Sequence, residues 1–326
     1  MQKLKFFFLA LVLMSGFGFG KEQTIDFSYN HRIYGIPQIE AIKGWGLDSP
    51  TSGSVEGSVM QMDGVGIDLA NNGGKITGVR GWHGLGEGFT ILQYEYFAAI
   101  FFTILILVPL AFLGHNLMVG AKRFDHHGKK FRVFSNYNIF VHWGAAVPFV
   151  LICITGLMMV FGDKLGGGML IRFAKNVHFL ATWVFLAFGI LMFFMWLKPA
   201  MFRLYDLQWF KIMGGYLSKE KRVVPAGKFN AGQKIWFWLA TIGGFVMAFT
   251  GIVMHYFWAD INVLRLMAIV HNVLGFGILA MLITHIYMAV FAIEGAIESI
   301  LNGNMTEEEL ALMHSFYYKE LVGAHK

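Results

Sequence analysis

Four histidines lie inside long apolar runs of this sequence: His142, His178, His271 and His285. An ionisable side chain within a bilayer is costly and usually serves a partner or a ligand, and a neutral imidazole is a good metal ligand. His271 and His285 are 14 residues apart. At about 100° and 1.5 Å per residue they return to within roughly 40° of one helix face, about 21 Å apart along the axis. One helix thus offers two imidazoles to a bundle interior at two depths. A single such histidine reads equally well as a polar contact between helices; four that sort by depth point to metal ligation. Cys153 is the sole cysteine, so thiolate clusters cannot be built here, and the apolar runs hold almost no Asp or Glu, which disfavours carboxylate-bearing metal sites. The 19 methionines read as core filler.

These residues need elements to position them. The 326-residue chain is 56% hydrophobic and 14% charged, with mean hydropathy +0.56, too apolar for a water-soluble domain. Its net charge of +6 belongs to membrane-protein loops rather than to a nucleic-acid surface, and no nucleic-acid partner is expected. Five runs reach the roughly 20 residues that cross a bilayer: Tyr96–Leu117, Asn138–Phe161, Val177–Leu197, Lys234–Trp258 and Leu266–Ile293. Cations gather after the first run (Lys122, Arg123, Lys129, Lys130, Arg132) and after the third (Lys198, Arg203, Lys211, Lys219, Lys221, Arg222, Lys228, Lys234). The other two connections hold only Lys164, Arg172, Lys175 and Arg265, so the basic loops are expected inside. That orientation fits a bacterial inner (cytoplasmic) membrane, with the mature N-terminus periplasmic and the C-terminus cytoplasmic. Residues 1–20 read as a signal peptide cleaved near Gly20, or alternatively as a retained anchor. Residues 21–92 read as an exported, Gly-rich, loop-rich segment without a dinucleotide fingerprint, 93–120 as an extra transmembrane helix, and 132–297 as a bundle. The remaining 298–326 read as a cytoplasmic tail.

Depth pairs the histidines. His178 and His271 lie near the outer starts of the third and fifth runs; His142 and His285 lie near the inner ends of the second and fifth. Bis-histidine haem needs one imidazole on each porphyrin face, which facing helices of a four-helix bundle supply. The expectation is an all-α membrane protein: a four-helix di-haem transmembrane bundle, with haem iron held by His178/His271 and by His142/His285, plus one extra N-terminal transmembrane helix. His255 reads as an interfacial residue, and His115, His126, His127, His31 and His83 stay unassigned. An internal echo, Trp143…Thr155-Gly156 against Trp238…Thr250-Gly251 and Val177-His178 against Val270-His271, reads as a duplicated hairpin or as ordinary small-residue packing.

Together with Gly-Lys-Phe-Asn-Ala-Gly-Gln-Lys at 227–234 and Thr-His-Ile-Tyr-Met-Ala at 284–289, these residues make the chain resemble the cytochrome b (gamma) subunit of membrane-bound respiratory formate dehydrogenases over about residues 132–320. The resemblance implies two haem b groups on the same four histidines. It also implies a menaquinone site beside the inner pair, at the segment matching Asn230, Ala231 and Gly232. Asn230 and Gln233 offer amide donors there, and Gly232 lets backbone come close to a ligand; the alternative is a simple helix-capping turn. The partners implied are an iron–sulfur (beta) subunit, a molybdenum or tungsten catalytic (alpha) subunit, quinone and membrane lipid. Electrons would pass from the periplasmic iron–sulfur subunit through both haems to quinone at the cytoplasmic side, each charge worth about 2.3 kcal/mol per 100 mV. Alternatives are a cytochrome b for a hydrogenase or for a thiosulfate or polysulfide reductase, and a haem-free anchor or transporter. The signal-like start, exported segment and extra helix depart from the shorter family members.

Overall fold

The computed structural model describes residues 59–62, 65–68 and 76–78 by their backbone, and residues 89–125 and 128–323. The expected signal peptide, most of the exported segment, and His31, His83, His126 and His127 lie outside the described residues. The chain forms two compact units, Met1–Tyr96 with Phe257–Ile269, and Phe97–Tyr256 with Val270–Lys326.

In the first unit, β1 (Val59–Met62), β2 (Val65–Asp68) and β3 (Ile76–Gly78) form an antiparallel sheet, Val59 opposite Asp68 and Val65 opposite Gly78. These strands lie in the segment that reads from sequence as loop-rich, with no clear helical or strand period; pieces of three or four residues are too short to show one.

Five helices are long and apolar enough to cross a bilayer: α1 (Phe89–Met118), α2 (Asn136–Val160), α3 (Gly168–Trp196), α5 (Ala231–Tyr256) and α6 (Ile261–Ala292). A short α4 (Asp206–Ile212) lies between α3 and α5. The protein is a multi-pass helical membrane protein. Every one of these helices starts earlier than its apolar run, most clearly α3 at Gly168 ahead of Arg172 and Lys175, α1 at Phe89 and α6 at Ile261. Hydropathy marks where a helix enters the bilayer, whereas backbone hydrogen bonding continues past it. Asp260 starts α6, its carboxylate accepting from the Asn262 and Val263 amides at 2.9 and 3.2 Å. A capping box starts α2: Ser135 Oγ accepts from the Asn138 amide at 3.2 Å, and Asn138 Oδ1 from the Ser135 amide at 3.1 Å.

Within the second unit α2 and α3 make the most extensive helix pair. Their close approach needs glycine: a Cβ at Gly144 would collide with the Phe188 ring, and one at Gly244 of α5 would sit 2.8 Å from Phe185. Ala145, Phe149, Phe185, Ala240, Ile278 and Leu282 form the bundle core, midway along α2, α3, α5 and α6. Outside, Leu107, Leu117, Phe140, Phe194 and Phe249 are more than half exposed, an arrangement stable only where the solvent is lipid. Three helices contain π-helical turns, Leu92–Tyr96 in α1, Leu239–Gly243 in α5 and Met288–Ala292 in α6.

The C-terminal segment read as a tail is folded onto the bundle end. It holds α7 (Glu298–Leu301), β5 (Asn304–Thr306), α8 (Glu307–Met313) and α9 (Ser315–Gly323). Strand β5 pairs antiparallel with β4 (Lys130–Arg132), Phe131 opposite Met305. Met305 and Leu310 join Phe131, Phe134, Trp196, Phe229 and Phe237 in one buried cluster. Strands of three residues and helices of two turns leave no periodic signal to read.

Candidate functional site

The four intramembrane histidines meet in two pairs. His178 of α3 faces His271 of α6 with ring centres 6.3 Å apart, and His142 of α2 faces His285 of α6 at 6.5 Å. Two metal–imidazole bonds of about 2.0 Å, with roughly 1.1 Å from each nitrogen to its ring centre, would set the centres roughly 6.2 Å apart.

Each ring of the first pair is held from behind. Thr155 Oγ1 lies 3.1 Å from His178 Nδ1, and Thr250 Oγ1 lies 2.9 Å from His271 Nδ1. A threonine hydroxyl has one proton to give, and a carbonyl can only accept. Thr155 gives its proton to Leu151 O at 2.6 Å, with Ile152 O at 3.2 Å, and Thr250 gives its proton to Met247 O at 2.9 Å. Both Nδ1 atoms must therefore carry the proton and donate it. The lone pair of each imidazole is left on Nε2, the tautomer a metal ligand needs. The adjacent glycines leave room for the rings, since a Cβ at Gly156 or Gly251 would lie 3.4 Å from Cε1 of His178 or His271.

These contacts give the internal echo a physical content. Thr155-Gly156 and Thr250-Gly251 hold His178 and His271 in the same way, and Trp143 and Trp238 each donate the indole proton to a backbone carbonyl, Ile300 O at 2.9 Å and Ala200 O at 3.0 Å. The second histidine pair breaks the repeat. His285 is stacked on Trp236, ring centres 5.2 Å apart and 21° from parallel, while His142 lies between Trp143 and Trp196 at 5.3 and 6.0 Å. His142 Nδ1 is buried without a hydrogen-bond partner, as are the indole nitrogens of Trp196 and Trp209. All three belong to this one end of the bundle.

No cluster of three or more His, Cys, Asp or Glu side chains suited to a metal occurs among the described residues. Two imidazoles complete a coordination sphere only around a metal that brings equatorial ligands of its own, and a porphyrin supplies four. The paired rings, the Nε2 lone pairs and the absence of nearby carboxylates among the described residues fit haem iron.

Asn230 and Gln233 form a capping box at the start of α5. Asn230 Oδ1 accepts from the Gln233 amide at 3.0 Å and Gln233 Oε1 from the Asn230 amide at 2.9 Å. Their oxygens are thus committed to the cap; the Gln233 NH2 and the second hydrogen of the Asn230 NH2, whose first goes to Tyr216, are what remain to offer a ligand. The Asn230 amide lies beside the Tyr216 hydroxyl, whose pKa is raised by burial and next by the charge of Glu309. The space above Gly232 is taken by the Trp209 indole, 3.0 Å from where a Cβ would stand, rather than by open room for a ligand. Lys234, counted among the loop cations from sequence, is 1% exposed and paired with Asp206 at 2.8 Å; with only sequence in hand nothing marked Asp206 as its partner. Nor did sequence mark Trp209, whose only signal is a polar atom in an aromatic-rich stretch. His255 does not join the pairs; it stacks on Phe179, ring centres 3.9 Å apart.

A family model described as prokaryotic cytochrome b561 matches residues 133–303, which include all four paired histidines and exclude α1. The chain is 30% identical over 200 residues to the formate dehydrogenase cytochrome b556 subunit of Haemophilus influenzae, covering 56% of this chain and 79% of that protein. It is 26% identical over 191 residues to the nitrate-inducible formate dehydrogenase cytochrome b556(Fdn) subunit of Escherichia coli K12 (55% and 86% covered) and 27% identical over 189 residues to the b556(fdo) subunit from the same strain (55% and 88%).

Proposed function

The chain belongs to the prokaryotic cytochrome b561 family, and from that premise we propose that it is the two-haem cytochrome b subunit of a membrane-bound formate dehydrogenase. His178 and His271 are the axial ligands of one haem b, His142 and His285 those of the other. The observation that carries this reading is the pair of threonine hydroxyls that force the Nδ1–H tautomer on His178 and His271 and so leave the lone pair of each of these facing rings on Nε2.

When bound, the haems supply one-electron transfer along the bundle between an iron–sulfur partner at the His178/His271 end and menaquinone or another quinone at the His142/His285 end. The polypeptide supplies placement. Thr155 and Thr250 orient their imidazoles, and Phe149, Phe185, Ile278 and Leu282 fill the interval between the pairs and exclude water. At the quinone end the NH2 groups of Asn230 and Gln233 and the unpartnered indole N–H of Trp209 are the donors available to a carbonyl oxygen. The basic loops support a cytoplasmic position for that end and for the C-terminus, with the mature N-terminus periplasmic. A single cysteine cannot hold an iron–sulfur cluster, so formate oxidation is assigned to the alpha subunit and iron–sulfur electron transfer to the beta subunit.

The test is an anaerobic titration of the native complex. Formate should reduce a b-type spectrum, and menadione should reoxidise it. Asn230→Ser keeps an N-cap oxygen but removes the amide donor, so it should slow only reoxidation, by about two- to tenfold for one hydrogen bond. A complex without b-type absorbance, or with haem that formate leaves oxidised, overturns the reading.

A further inference from the structure

His115 lies on α1, ahead of the region that matches the family, and has no place in the scheme above. We propose that it is a positioning residue which ties the turn bearing His285 to the segment leading into Asn230; this rests on the reading that the His142/His285 end holds haem and quinone. The imidazole bridges two elements. His115 Nε2 lies 2.9 Å from the backbone oxygen of Tyr216, and Nδ1 lies 2.7 Å from the Tyr287 hydroxyl. A carbonyl only accepts, so Nε2 carries the proton and donates it; Nδ1 then holds the lone pair and accepts from Tyr287. Both nitrogens are spent, which accounts for a histidine in a span that is not a ligand.

Each end of the bridge touches the candidate site. Tyr287 follows His285 by two residues and immediately precedes the π-helical turn of α6. Its ring is stacked on Phe112 of α1 at 4.2 Å and 12°, so α1 fixes both the ring and the hydroxyl. On the other side, Tyr216 is the residue whose hydroxyl lies beside the Asn230 amide. One turn beyond α1 the same bridge is made again. The Lys122 backbone bonds Ala292 O at 2.8 Å and the Glu294 amide at 2.9 Å, while its ammonium reaches Ser218 O and, at 2.6 Å, Glu220 O. His115 near the end of the extra helix and Lys122 at its exit thus hold the end of α6 against segment 216–220. A π-helical turn shifts helix register, and a register held by tertiary contacts is what those contacts can set.

The test uses the native complex and three variants: His115→Leu, which removes both bonds, Tyr287→Phe, which removes one and keeps the stack on Phe112, and His115→Gln, whose amide can donate and accept like the imidazole. Redox titration should show the midpoint potential of one haem displaced in His115→Leu and Tyr287→Phe, the other unmoved, and the apparent KM for menadione raised about two- to tenfold. The double variant should be no worse than His115→Leu alone, since both act through one bridge, and His115→Gln should restore the wild-type potential. Should His115→Leu fail to accumulate, Tyr287→Phe decides. Unchanged potentials and KM in Tyr287→Phe, or equal displacement of both haems, overturns the inference. Wild-type complex lacking haem would instead overturn the functional reading on which it rests.

Discussion

Replacing Thr250 with Val keeps the volume of the side chain and deletes the oxygen that takes the His271 Nδ1 proton at 2.9 Å. The Nδ1–H keeps only the Met247 carbonyl as a partner, and the imidazole loses the threonine's share of the pull that makes it a better electron donor toward a metal. A hydrogen bond of this kind is worth about 0.5–1.5 kcal/mol. Where that worth falls on the oxidised state, which gains most from a basic ligand, removing it raises the midpoint potential; at about 59 mV per tenfold for one electron this is roughly 20–65 mV. Thr155→Val should act in the same direction and less strongly, because its contact with His178 is longer, 3.1 Å, and its proton lies between two carbonyls. The two threonines hold opposite rings of one pair, so both variants must move the same haem. The assay is a spectroelectrochemical titration resolving the two b-type components. Displacement of different haems by the two variants, or of neither, refutes the pairing and the assigned proton positions.

Two further outcomes follow from charges buried at the same end. Removing one partner of the Lys234–Asp206 pair, whose side chains are 1% and 3% exposed, strands the other charge; Asp206→Ala should lower stability by about 3–5 kcal/mol, and Lys234→Met with Asp206→Leu should recover part of it in thermal unfolding. Burial, reinforced by the charge of Glu298, lifts the Glu309 carboxyl from 4.5 to about 7. The folded chain then keeps a proton that the unfolded chain releases, so the stability it contributes is complete below about pH 4.5 and is lost as pH rises through about 7. Glu309→Gln should flatten the unfolding temperature across that window; an identical slope in the variant would contradict the assignment.

The features legible in the sequence are those governed by length, depth and period. Five apolar runs gave the spans, and the positions of His142, His178, His271 and His285 within them gave the two rings that face each other at each level. Features governed by tertiary contact were not legible. Thr155 and Thr250 were visible as an echo, but a threonine in a membrane helix commonly bonds its own backbone, and only the structure brings it to Nδ1 of a histidine on the next helix. Lys234 looked like a loop cation because its counter-charge, Asp206, lies 28 residues earlier in a stretch without a clear period. The π-helical turns and the fold of 298–323 likewise depend on neighbours. Gly232 has, on sequence alone, the freedom to approach a ligand, but the Trp209 ring occupies that space.

The central claim is that each chain holds two haem b groups on four histidines, and haem stoichiometry tests it most directly. A pyridine haemochrome assay on purified wild-type complex, with His142→Ala and His178→Ala alongside, should return two haems per chain, falling to one in each variant with a different spectral component lost. One haem or none in the wild type, or the same component lost from both variants, would contradict the account.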